Sequence, residues 1–168
     1  KSFYGVLGTP ASRFYNPAIA NAITGQGRYL LMWSKQWFET AGYTVLYGDT
    51  DSLFVRSGLA DPDAADALGK TLTERINADL AAHVQATAGV VSKLELEYEK
   101  LYARLFLASV RHGTGGARKR YAGIRVGSDA PEFVGMEVVR RDWTDLAKQV
   151  QRELYARLFT DEPVAAYL

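Results

Sequence analysis

Two carboxylates one residue apart, in Tyr47-Gly48-Asp49-Thr50-Asp51-Ser52, are the side chains of this sequence best suited to chemistry. Tyr43, Val45 and Leu46 precede them, and Leu53, Phe54 and Val55 follow. Short runs of β-branched and aromatic residues around a Gly/Asp turn predict a β-hairpin, with Asp49 and Asp51 at its tip. Two unpaired carboxylates at such range repel each other, so a divalent cation is a natural partner. Mg²⁺ favours a few carboxylates, waters and substrate phosphates over a closed protein cage, and two-metal phosphoryl transfer uses that arrangement. A solvated turn is the competing reading, because Asp and Gly are ordinary turn residues.

Three other stretches carry charge in a pattern. In Leu94-Glu95-Leu96-Glu97-Tyr98-Glu99-Lys100 strict alternation predicts a strand with Glu95, Glu97 and Glu99 on one face. That face is either a wet edge or a source of negative potential beside a metal site. Arg118-Lys119-Arg120-Tyr121-Ala122-Gly123-Ile124 concentrates positive charge around a tyrosine, which suits phosphates and nucleotide faces, or a solvated surface. Glu137-Val138-Val139-Arg140-Arg141-Asp142-Trp143 reads as a salt-bridged strand end, or as arginines reaching a phosphate.

The elements that must position these groups are legible from caps and periodicity. Asn16-Pro17 predicts an N-cap with Pro in the first turn, followed by Ile19, Ile23, Leu30, Trp33, Trp37 and Phe38 at near-helical spacing up to Gly42. Asp61-Pro62 repeats the signal before Leu68, Leu72, Ile76, Leu80 and Val84, with an end near Gly89. His83, near that end, reads as a dipole-compensating or surface residue. Residues 101–110 form an apolar run expected to be a strand, and residues 112–116 a turn. A last helix from about Thr144 is expected to point Leu146, Val150, Leu154 and Leu158 inward. Gly5 and Gly8 read as helix-breaking glycines near the start. The sum is an α+β chain.

At 168 residues the chain is long enough for one domain with a buried core. The net charge of +1 names no partner, so only local clustering speaks to binding. The absence of cysteine excludes disulfides and thiolate metal sites and fits a reducing cytoplasm. No apolar run is long enough to span a bilayer, and no signal-peptide pattern opens the chain. A first residue other than Met suggests a piece of a longer protein.

The order of Ser2-Phe3-Tyr4-Gly5, the Tyr-Gly-Asp-Thr-Asp-Ser hexapeptide, Arg118-Lys119-Arg120-Tyr121-Ala122-Gly123 and Glu137-Val138-Val139-Arg140-Arg141-Asp142-Trp143 resembles the family B DNA polymerases. Within that family the likeness is to the bacterial polymerase II group, and it extends over nearly the whole chain. It implies a palm domain, an antiparallel sheet (ferredoxin/RRM-like) backed by helices. Residues 1–15 would end the fingers motif, residues 16–143 form the palm, and residues 144–168 begin the connection to the thumb. Asp51 matches the family's metal-binding aspartate and Asp49 the weaker acidic residue before it. Glu97 and Glu99 match a pair close to the metals. Lys119 and Tyr121, with Arg120 between them, match the K-x-Y element that contacts the primer end. Arg140 and Arg141 match residues along the primer strand, and Tyr4 and Gly5 residues under the nascent base pair.

The resemblance further implies two Mg²⁺ ions, with Mn²⁺ as a substitute, and primer-template DNA and a dNTP as partners. The exonuclease, fingers and thumb of the same polymerase would be partners too, with a sliding clamp possible for the parent. It implies replication or repair in the cytoplasm, at the nucleoid, and no membrane. The sequence departs from the family pattern in three places. The asparagine of K-x-x-x-N-S-x-Y-G is missing, with Lys1 directly before Ser2. The aspartate of the upstream S-L-Y-P-S motif is absent, so the fragment alone is expected to be inactive. Val134 stands where relatives often carry a lysine. Another two-metal nucleotide enzyme on a palm-like fold, or a non-catalytic DNA-binding sheet, are the alternatives.

Overall fold

The computed structural model describes residues 2–109 and 116–165, so Lys1, residues 166–168 and most of the expected turn at 112–116 lie outside the described residues. The class is α+β, with small antiparallel sheets backed by helices. The chain divides into two compact units, Lys1–Arg56 with Asp79–Ser92, and Ser57–Ala78 with Lys93–Leu168.

The first unit contains helices α1 (Ser2–Gly8) and α2 (Pro17–Thr40), strands β1 (Thr44–Asp49) and β2 (Ser52–Arg56), and the end of helix α3 (Pro62–Ala88). Asn16 caps α2 as expected, its Oδ1 accepting from the Ile19 N–H at 3.1 Å with Pro17 in the first turn. The chain leaves α2 through Gly42 at φ +89°, a conformation that favours glycine. Ala20, Ser34 and Phe38 are buried on α2, whereas Ile19 and Ile23 are exposed. The tryptophans serve the contact with α3. Trp33 stacks on His83 with ring centroids 4.9 Å apart, and Trp37 Nε1 donates to Asp79 at 2.7 Å. His83 also shares a 2.8 Å hydrogen bond with the Tyr29 hydroxyl. It is thus half-buried against two aromatic rings of α2, a packing role in addition to the surface or dipole role expected of it.

The second unit holds the first part of α3, strands β3 (Tyr102–Ser109), β4 (Gly116–Arg125) and β5 (Glu132–Val134), and helix α4 (Asp145–Phe159). The strands form an antiparallel sheet in the order β3-β4-β5, with Phe106 opposite Ala122 and Ala122 opposite Phe133. Those residues face α4. Ala122, Met136, Tyr155 and Phe159 form the buried core, with Phe106, Ile124 and Phe133 packed on it. The Tyr155 ring meets Phe106 and Phe133 edge-on, at 5.2 and 5.5 Å.

Two expectations are corrected here. The inward face of α4 is Tyr155 and Phe159, while Leu146, Val150 and Leu158 are exposed. An aromatic sheet face takes the larger rings, which bury more area than the leucine ridge beside them. Residues 94–100 form no strand. The alternation survives as burial, with Leu96 and Tyr98 half-buried and Glu95, Glu97 and Glu99 exposed. The backbone, however, is held by a side chain. Asn77 of α3 donates to the Leu96 carbonyl at 2.9 Å and accepts from the Leu96 N–H at 2.8 Å. One carboxamide thus supplies the pair of bonds that a neighbouring strand would make.

Candidate active site

Strands β1 and β2 pair antiparallel as a hairpin closed by Thr50 and Asp51, with Asp49 opposite Ser52. A register shift between Val45 and Tyr47 adds a bulge, after which the strands run in step to the turn. Burial alternates along β1, so Val45, Tyr47 and Asp49 are half-buried on one face. Tyr47 meets Phe54 of β2 with centroids 5.7 Å apart. The Asp51 N–H donates to the Asp49 carbonyl across Thr50, and Thr50 has φ +43°. That is a three-residue turn inside the hairpin loop, with a β-branched residue in the left-handed region.

This turn holds the two carboxylates differently. Asp49 Oδ1 accepts from the Thr50 hydroxyl at 2.9 Å, and the Ser52 hydroxyl donates to the Asp49 carbonyl at 3.3 Å. Asp51 is exposed at the tip. The donor set is of the kind Mg²⁺ takes: carboxylate oxygens at a turn, with Asp51 exposed to water. Among the described residues no three His, Cys, Asp or Glu cluster as a complete metal cage.

Glu97 and Glu99 are exposed on the segment held by Asn77, and Glu99 pairs with Lys100 at 3.1 Å. The structure places these glutamates in the second unit and the hairpin in the first. Tyr98, between them, packs its ring on Gly69 of α3, where an added Cβ would lie 2.5 Å from the ring. Burial first, and then the nearby Asp66 carboxylate, push the Tyr98 hydroxyl up to about 12.

The basic element lies on β4. Arg120, Ala122 and Ile124 alternate with Tyr121 and Gly123, so Arg120 shares the face that meets α4. Its guanidinium pairs with Glu137, in the short 3₁₀ turn Glu137–Val139. Gln151 of α4 donates to the same carboxylate at 3.0 Å and accepts from the Val138 N–H at 2.7 Å. Burial works against the ionised Glu137, but hydrogen bonds from Gln151, its own backbone and Arg120, with the Arg120 charge, outweigh it. They hold the carboxyl below its usual range. Arg120 thus ties β4 to the Glu137 turn. Tyr121, on the other face, is half-buried, and Lys119 is exposed.

That other face also contains a cluster with no local signal in the sequence. Tyr102 lies over Gly123, where a Cβ would come within 2.6 Å of its ring, and its hydroxyl donates to Glu132 at 3.1 Å. Burial first pushes the Tyr102 hydroxyl up, to about 12. Glu132 also pairs with Lys100 at 3.5 Å and with Arg125.

Arg140 is gripped by Asp142 through two hydrogen bonds, at 3.0 and 2.6 Å. Arg141 is exposed and makes no ion pair with the described residues. Tyr4 and Gly5 lie on α1, where Tyr4 is exposed and a Cβ on Gly5 would meet nothing within 4 Å. Gly5 is thus not required by a close approach inside the described structure, and it lies within α1 where a helix break was expected, while Gly8 does end the helix.

Residues 1–166 match DNA polymerase family B. The chain is 42% identical to DNA polymerase II of Escherichia coli over 170 residues, covering 99% of this chain and 22% of that protein. It is 34% identical to a DNA polymerase of Archaeoglobus fulgidus, over 91% of this chain and 16% of the relative. It is 28% identical to the DNA polymerase alpha catalytic subunit of Drosophila melanogaster, over 97% of this chain and 10% of the relative. The chain thus spans between about a tenth and about a fifth of these relatives.

Proposed function

This chain belongs to DNA polymerase family B, and from that membership we propose that it is most of the palm of a DNA-directed DNA polymerase. In this reading residues 1–15 end the fingers motif and residues 144–168 lead toward the thumb. The reaction is template-directed addition of a dNTP to a primer 3′ hydroxyl with release of pyrophosphate. The observation that carries the proposal is the Tyr-Gly-Asp-Thr-Asp-Ser sequence standing at the turn of a β-hairpin, with Asp51 exposed at the tip.

Asp51, with Asp49 in support, would hold Mg²⁺. When bound, the ions activate the hydroxyl and neutralise charge on the triphosphate and leaving group. The protein's own share is positioning and charge. Thr50 and Ser52 fix the Asp49 end of the turn, so that Asp51 is presented in one place. Lys119 offers a cation and Tyr121 an aromatic ring beside it, for the phosphates and sugars at the primer end. Arg141 is the better phosphate ligand of its pair, because Arg140 is already committed to Asp142. Glu97 and Glu99 add negative potential that can attract an accessory cation. Tyr4 would support the nascent base pair.

The test uses the polymerase that carries this segment. Asp51→Asn is expected to remove templated dNTP incorporation by at least about a hundredfold, with the melting temperature unchanged because the side chain is exposed. The 168-residue chain alone is expected to incorporate nothing. Nucleotide turnover without primer-template, or full activity in Asp51→Asn, would overturn the proposal.

A further inference from the structure

Lys119 is one of three non-glycine residues with positive φ among the described residues, at +58°. The strand around it is irregular. Between the pairs Leu107–Tyr121 and Ser109–Gly116, β3 advances two residues while β4 advances five. The surplus is a bulge that contains Lys119, and a bulge re-aims the side chains it carries. A lysine does not choose the left-handed region on its own account.

What accommodates it is the residue that follows β5. Gly135 has φ +61°, and a Cβ built on it would lie 1.9 Å from the Lys119 carbonyl oxygen and 3.0 Å from its carbonyl carbon. Both atoms are backbone, so no rotamer change relieves the clash. Two residues later Glu137 takes the Arg120 guanidinium, and Gln151 holds Glu137. The bulge is thus fixed on both sides of Lys119's backbone. Gly135 lets the Lys119 carbonyl in, and Glu137 pulls the next side chain toward α4.

We infer that Gly135 and Glu137 are positioning residues that set where Lys119 and Tyr121 meet primer-template DNA. Neither touches the nucleic acid. The inference rests on the proposed DNA contact of Lys119 and adds the groups that aim it.

A double-mutant cycle separates the two ideas. The polymerase that carries this segment is titrated with fluorescein-labelled primer-template DNA at several salt concentrations, and anisotropy gives the dissociation constant and its salt slope. The variants are Lys119→Ala, Gly135→Ala, Glu137→Gln, and each of the last two combined with Lys119→Ala. Melting temperature is recorded for every variant. Lys119→Ala is expected to weaken binding by roughly threefold to tenfold and to lower the salt slope by about one. Gly135→Ala is expected to match it in both readouts, and the double variant to be no weaker than either single. Glu137→Gln keeps the shape and the Gln151 contact and places no new atom against backbone, so it is the milder of the two changes. It is expected to give a smaller loss, again absent in the Lys119→Ala background.

Losses that add to that of Lys119→Ala, with an unchanged salt slope, would mean that Gly135 and Glu137 only stabilise the fold, and would overturn the inference while leaving the Lys119 contact standing. If Gly135→Ala does not fold, additivity of Glu137→Gln has the same force. No effect of Lys119→Ala on affinity or slope would overturn the DNA contact itself, and the inference with it.

Discussion

Thr50 stands between the two carboxylates at φ +43°, where a β-branched side chain crowds its own backbone. Such strain persists only when the surroundings hold it, and it concentrates at functional turns. Thr50→Asn, which tolerates this region and can still bond Asp49, is expected to stabilise the chain by up to about 1 kcal/mol. Urea unfolding measures this, and a clear loss of stability would show that the Thr50 hydroxyl bond outweighs the strain. At Glu137 the titration has a definite sign. Its folded pKa lies below the ordinary 4.5, despite burial, because of Gln151, its own backbone and Arg120. The facing groups are Arg120 from β4 and Tyr155 from α4, whose hydroxyl burial raises first and the Glu137 charge raises further. The stability that Glu137 contributes is therefore complete above the unfolded pKa and is lost as pH falls through the folded one. Stability measured from pH 6 downward should fall less steeply in Glu137→Gln than in the unmodified chain. Parallel curves would remove Glu137 from the acid transition.

Elements differ in how much of them the sequence announces. Helices α2 and α3 were legible because their signals are local: Asn16-Pro17, Asp61-Pro62 and Gly89 each act within a turn of the chain. The hairpin was legible for the same reason. The face of α4 was not, since Tyr155 and Leu154 are both apolar enough for a core position and only the aromatic sheet opposite decides between them. The Arg120–Glu137 pair was not legible either, because the partners are 17 residues apart. The segment around Leu96 shows the same limit, as alternation states which side chains are buried but not what bonds the backbone. Asn77 does so across 19 residues. Asn77→Ala leaves a half-buried N–H and carbonyl without partners, at about 1–3 kcal/mol for such a group. Hydrogen exchange should show the Leu96 amide losing protection ahead of β3 and β4. Equal protection in both proteins would mean that the segment is held by Tyr98 instead. Gly69 tests that second hold. An Ala in a helix interior normally gains about 1 kcal/mol over Gly. Here the added Cβ meets the Tyr98 ring at 2.5 Å, so Gly69→Ala is expected to destabilise by about 1–3 kcal/mol. In a Tyr98→Ala background the same change should become neutral or favourable, as urea midpoints will report.

For the molecule as a whole, the balance of charge and exposed apolar surface sets its behaviour in solution. A net charge of +1 provides little repulsion between copies. Leu146 is 72% exposed, and with Val150, half-buried Leu154 and Leu158 it forms a ridge at helical spacing along the outer side of α4. Contiguous apolar surface of this kind drives association. The two ends of the ridge can be made polar in a way the helix favours. Glu at 146 falls in the first turn of α4 and Lys at 158 in its last, each the charge that complements the helix dipole. Leu146→Glu with Leu158→Lys should therefore leave the melting temperature unchanged or slightly raised, since Tyr155 and Phe159 still pack on the sheet. Sedimentation velocity over a range of concentrations is the measurement. The unmodified chain is expected to gain apparent mass as concentration rises, and the double variant to stay at the monomer value. If both gain mass alike, the surface that associates lies elsewhere, and Phe3 and Val91, 75% and 82% exposed, are the next residues to replace.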